Sequence, residues 1–134
     1  MAAFGKETLE KLKEKLPDYA IVKNPLDLVG DADVERYRVA LNAVSADPEV
    51  GIVLVIVLHQ TSFIESDVVD AITEAQLIYG KPTVVCTIGG EFTQILVKML
   101  EENKIPSYDT PEQAIDAINA LIQYSIILEK RKSL

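Results

Sequence analysis

The chain is poor in most residues that carry redox, metal or cross-linking chemistry. It has one Cys, one His and no Trp among 134 residues. Cys86 alone excludes an internal disulfide framework and points to a reducing compartment. Five Tyr and three Phe are the whole aromatic content, so the core must be aliphatic, drawn from 42 Ile, Leu and Val residues. The longest apolar run, Val50 to Leu58, is far too short to span a bilayer. The N-terminus has no apolar stretch of the kind a secretory signal needs. Positive charge is also scarce: 13 basic against 21 acidic residues give a net charge of −8. That average field repels nucleic-acid backbones and anionic membranes, so neither is an expected partner. Metal-ligand spacing, a nucleophile elbow and a Walker-type lysine loop are all missing. The composition suits one soluble, cytoplasmic domain over residues 1–134, with residues 1–18 a lead-in helix.

What is present alternates in period. Leu9, Leu12 and Leu16 form a narrow stripe on a first helix that Pro17 ends. Ala20, Ile21 and Val22 read as a short strand, followed by a loop to Asp31. Asp33 is placed to cap a helix carrying Val34, Tyr37, Leu41 and Val44. Val50 to Leu58 is nearly all β-branched or Leu, as a strand covered on both faces requires. A helix from about Ser66 to Tyr79 ends at Gly80. Thr83 to Ile88 is a second buried strand, and Gly89-Gly90 turns into a helix bearing Phe92, Ile95, Leu96 and Met99. Ile105 to Tyr108 is a short strand, and Thr110-Pro111-Glu112-Gln113 opens the last helix with a cap, a first-turn proline and a capping-box Gln. The order implies an α/β, doubly wound, flavodoxin-like fold: a mostly parallel sheet of about four strands in a three-layer αβα arrangement. The last helix is apolar most of the way round, which fits either a deep groove in its own domain or a docking surface.

Ligands of such sheets sit at the carboxyl ends of the strands, where helix N-termini favour anions. The loop from Asn24 to Asp31, with Gly30 allowing close backbone approach and Ala32 entering the helix, is the most elaborate candidate. Gly89 and Gly90 are a second. Asp31, Asp33 and Glu35 oppose an anion at the first, and a well-capped helix explains that loop without a ligand. His59 is unoriented by any neighbour in sequence; a small hydrolase or isomerase using it with Glu65 or Asp67 has no supporting spacing. Cys86, inside a buried strand, reads as a core thiol. No catalytic or metal-binding residue is assigned.

Residues Asn24-Pro25-Leu26-Asp27-Leu28-Val29-Gly30-Asp31-Ala32, followed by Arg36-Tyr37, resemble the Asn-Pro-x-Asp-Leu-x-Gly-Asp-Ala-x-x-x-Arg-Tyr signature of the NDP-forming acyl-CoA synthetases. Asp47-Pro48, Lys81-Pro82-Thr83-Val84, Gly89-Gly90 and Ile105-Pro106 through Glu112 fall in that family's order, so the resemblance covers essentially the whole chain. It is to the flavodoxin-like CoA-ligase subdomain that ends the α part, and the layout is similar to the C-terminal domain of succinyl-CoA synthetase β. The resemblance implies a truncated piece or detached subunit of a ligase that converts acyl-CoA, ADP and phosphate to acid, CoA and ATP through a phosphohistidine. The Ser-His-Thr-Gly motif of that histidine is not in this sequence, and His59 does not match it. Asn24, Gly30, Asp31, Ala32, Gly89 and Gly90 become, by resemblance, the phosphohistidine-facing residues. CoA and ADP/ATP with Mg²⁺ belong to the full enzyme and none to this chain. Implied partners are the phosphohistidine-bearing CoA-ligase subdomain and the ATP-grasp part, with a homo-oligomer also open. A stand-alone binding or regulatory module of the same fold is the alternative.

Overall fold

The computed structural model describes residues 1–58 and 66–133. Its elements run α1 (Lys6–Lys15), α2 (Val34–Ala46), β1 (Val53–Leu58), α3 (Asp67–Tyr79), β2 (Thr83–Ile88), α4 (Phe92–Glu102), β3 (Ser107–Tyr108) and α5 (Pro111–Lys132). The three strands form one parallel sheet in the order β1-β2-β3. β1 and β2 are in register from Val53–Thr83 to Leu58–Ile88, and β3 pairs through Val85–Ser107 and Cys86–Tyr108. The α/β class is as the sequence predicts.

Alternation along the strands sends side chains to two unequal layers. Val53, Val55, Val57 and Val85 meet Val68, Val69 and Ile72 of α3 and Leu96 and Leu100 of α4 in the main core. Each fully buried aliphatic side chain there contributes roughly 1.5–3 kcal/mol. α2 lies along α3, and α1 along α2. The opposite face is thinner: Val84 and Cys86 are covered by Ala114 of α5, with Leu54, Ile88, Tyr108 and Ile118 around them.

Three expectations need correction. The fourth strand is missing among the described residues: Ile21 and Asp27 exchange backbone bonds of 3.1 and 3.2 Å, an isolated antiparallel bridge within one loop. A three-residue segment whose central amide and carbonyl are used locally has nothing left to extend a sheet. Second, β1 is fully covered on one face and only partly on the other, where Leu54 packs beside Val84 and Cys86 but Ile56 and Leu58 are 50% and 42% exposed. Third, the last strand shrinks to Ser107–Tyr108. In α4, Leu96 and Leu100 point inward while Ile95 is exposed.

Helix ends follow local chemistry. Asp33 accepts from the Arg36 amide and Thr110 from the Gln113 amide, with Pro at the start of α5. Gly80 closes α3 in the left-handed region at φ 66°, its amide 2.8 Å from the Gln76 carbonyl oxygen. Gly80→Ala forces a Cβ into that conformation and lowers stability by about 1 kcal/mol, read as a shift in the urea midpoint; an unchanged midpoint refutes the assignment.

Candidate functional site

Short connections force the helices to run back against the strands, so the N-termini of α2, α3, α4 and α5 all lie on the rim where the strands end. That rim is the ligand side of an open α/β sheet. It carries both loops that the sequence singles out. α3 packs against both α2 and α4 and so stands between them.

The loop before α2 is bound mainly to itself. Asn24 Nδ2 donates to the Ala2 carbonyl at 2.7 Å, and Asp27 Oδ1 accepts from the Val29 amide at 2.8 Å. Arg36 Nη1 donates to the Leu28 carbonyl at 2.9 Å and to Asp31 Oδ1 at 2.5 Å, while the Tyr19 hydroxyl donates to Asp31 Oδ2 at 2.7 Å. The guanidinium also sits 5.6 Å from the Tyr19 ring centroid, a cation–π distance. The hydrogen bond from Arg36, seconded by Tyr19, holds the Asp31 carboxyl below the usual carboxylate range. Ala32 is buried. Gly30 has open space where a Cβ would stand and no positive φ; the left-handed residue of the loop is Val29, at φ 66°. The close approach expected at Gly30 is therefore not a backbone requirement. Arg36 and Tyr19 neutralise the acid that opposed an anion here, yet the Asp33 cap already takes one of the helix's free amides.

Gly89 and Gly90 line a different feature. Between the end of β2, the first turn of α4 and Asp109 lies a cleft of about 470 Å³. α4 has no side-chain cap. The Thr93 hydroxyl donates to the Gly90 carbonyl at 2.6 Å, tightening the turn. Thr87, penultimate in β2 and on the α4 side of the sheet, borders this cleft, and its buried hydroxyl has no partner among the described residues. Sequence reasoning passed over Thr87. Its signal was a hydroxyl at the carboxyl end of an otherwise aliphatic strand.

Cys86 is fully buried, and burial, reinforced by the negative charges of Glu112 and Asp109, pushes its thiol pKa up. It is a core thiol. His59 and Glu65 lie outside the described residues. Among those described, no group of three or more His, Cys, Asp or Glu is arranged to hold a metal, and no helix is long and apolar enough to cross a membrane.

Comparison with known proteins gives one consistent family of relatives. No family model matches the chain. It is 36% identical over 132 residues to an ADP-forming acetate–CoA ligase of Archaeoglobus fulgidus, covering 98% of this chain and 18% of that protein. It is 33% identical over 131 residues to the α subunit of an ADP-forming acetate–CoA ligase of Pyrococcus furiosus, covering 94% of this chain and 28% of that subunit. Among solved structures, an acetyl-coenzyme A synthetase of Ca. Korarchaeum cryptofilum superimposes with a TM-score of 0.81 at 30% identity, over 92% of this chain and 28% of that one. The same protein, solved with phosphate and ADP, matches equally well. The chain thus spans 18–28% of the length of these relatives.

Proposed function

We propose, since this chain is related along nearly its whole length to one segment of the ADP-forming acetate–CoA ligases, that it serves as that subdomain of a cytoplasmic acyl-CoA synthetase. The reaction is the conversion of acyl-CoA, ADP and phosphate to acid, CoA and ATP, relayed by a phosphohistidine carried on another segment. This chain supplies the rim of helix N-termini against which the phosphorylated side chain rests, with Asn24, Gly30, Asp31 and Ala32 on one side and Gly89 and Gly90 on the other. Backbone amides and aligned peptide dipoles stabilise the phosphoryl charge there. CoA, nucleotide and Mg²⁺ are held by other segments.

The alignment at 36% identity over 98% of the chain carries this reading. The shape of α5 supports it. Ala114 alone is buried in that helix, and every described residue from Asn119 onward is exposed. Ile115, Leu121, Ile122, Tyr124 and Ile127 stand 37–58% exposed along it. An apolar helix projecting from its own core is a docking surface for a neighbouring segment or subunit, and the groove alternative is set aside.

Mixed alone with acetyl-CoA, ADP and phosphate, the chain forms no ATP; restoring the phosphohistidine-bearing and nucleotide-binding segments restores turnover. A luciferase assay for ATP measures both. ATP made by the pure chain, or no turnover in the reassembled enzyme, refutes the subdomain role.

A further inference from the structure

We infer that α5 pairs with the α5 of a second copy of this chain, the two helices running antiparallel. The first observation is length. The helix has 22 residues, roughly 33 Å at the α-helical rise, while the six residues of β2 span only about 20 Å. Its sheet-facing stripe nevertheless continues past the sheet. Ala114 is buried and Ile118 packs beside it. At the same spacing of three or four residues follow Leu121, Tyr124 and Leu128, all exposed. No charged residue interrupts the helix from Ala117 to Leu128. A helix that faces water all round carries charge along its length; one that meets another helix keeps an apolar stripe instead.

The charges at its two ends choose the occupant and its direction. Asp109, Glu112 and Asp116 lie at or just before the head of α5, while Lys130, Arg131 and Lys132, against the single acid Glu129, form its last turn. Two copies side by side in the same direction set base against base and acid against acid. Reversed, the basic tail of each lies beside the acidic head of the other, and the opposed helix dipoles also attract. Such a surface is complementary to itself, as a twofold interface between identical chains requires. Each copy carries a net charge of −8, so association needs a place where both signs are matched across the interface. The half-bare part of the sheet lies on the same side: α5 packs on β2 and β3, leaving Ile56 and Leu58 of β1 exposed on that face. The incoming tail runs back along the first α5 toward Ile56 and completes the outer layer. This is the docking surface of the proposed function with its occupant named, so it rests on that reading of α5 but not on the phosphohistidine relay.

Sedimentation equilibrium of the 134-residue chain at neutral pH reads the pairing. The chain is a dimer at about 50 μM and dissociates on dilution, as an interface of modest size allows. Leu121→Glu together with Leu128→Glu weakens the dimer at least about tenfold; an unchanged urea midpoint separates lost pairing from lost folding. Reversing the tail (Lys130→Glu, Arg131→Glu, Lys132→Glu) weakens it as well, and reversing the head in the same chain (Glu112→Lys, Asp116→Lys) restores it. A parallel pair shows neither effect, because its ends repel before and after the change. The pairing is overturned by a monomer at about 500 μM, which is the result if another segment covers α5 instead. It is equally overturned by a dimer that survives both glutamates, or by a tail reversal that costs nothing or that the head reversal fails to rescue. Each of these results leaves the subdomain role to the reassembly assay, which judges it separately.

Discussion

Asp47→Ala lowers the unfolding free energy by about 2–4 kcal/mol, a large share of what holds a domain of this size together. Asp47 is 1% exposed at the exit from α2. Its Oδ2 accepts from the Gly5 amide at 2.8 Å and its Oδ1 from the Glu49 amide at 2.9 Å. Its carbonyl accepts from the Val50 amide at 3.1 Å and from Lys81 Nζ. One side chain thus ties the N-terminal segment to the lead into β1, while its backbone reaches the approach to β2. Alanine leaves the Gly5 and Glu49 amides without their carboxylate acceptor, and urea unfolding at neutral pH reads the loss.

The same residue gives a pH signature. Burial by itself would raise the carboxyl pKa, but hydrogen bonds from Thr8, Glu49 and Gly5 and the charge of Lys81 together outweigh it and hold the group below its ordinary value. A folded pKa below the unfolded one contributes stability that is complete above the ordinary aspartate range. That stability is lost as pH falls through the range toward the folded value. Asp47→Asn therefore flattens the acid limb of the stability profile as well as lowering its plateau. A parallel, merely offset profile contradicts the assignment.

Leu96→Ala has a comparable effect, about 2–5 kcal/mol, while Ile95→Ala next to it changes stability by no more than about 0.5 kcal/mol. Leu96 is 0% exposed and packs in the main core; Ile95 is 56% exposed. The pair decides which stripe of α4 faces the sheet. Equal losses at the two positions refute the packing of that helix.

Much of this was legible in the chain because local chemistry and tertiary packing agree. The Asp33 and Thr110 caps, the Gly80 stop and the aliphatic strands at Val53–Leu58 and Thr83–Ile88 all stand where spacing puts them. Where the two compete, the sequence misleads. In α4, Ile95 and Leu96 are both apolar, and only the contact with β2 and β3 chooses between adjacent positions. At Ala20–Val22, apolar residues suggest a strand, but the amide and carbonyl of Ile21 are already bonded to Asp27 within the loop. The apolar run at Val50–Leu58 implied two covers, and the structure supplies one in full and the other only at Leu54.

The candidate site divides in the same way. A motif displays the residues of the Asn24–Ala32 loop without their partners; pairing across 12 residues, as Tyr19 does with Asp31, is set by the fold. Thr87 drew no notice because a threonine in a strand is ordinary until its hydroxyl is found buried at the mouth of an uncapped helix. In the sequence Asp47 is one half of an Asp-Pro pair, and only the return of Gly5 and Lys81 through space makes it a tie.

By itself the order of residues determined the alternation of helix and strand and the helix caps, because each depends on bonds within a few residues. The tertiary structure alone decided which apolar stripe is buried, which acids are neutralised, which hydroxyl lacks a partner and how far α5 extends beyond its support. Those depend on what lies across the fold, and separation along the chain carries no record of distance in space.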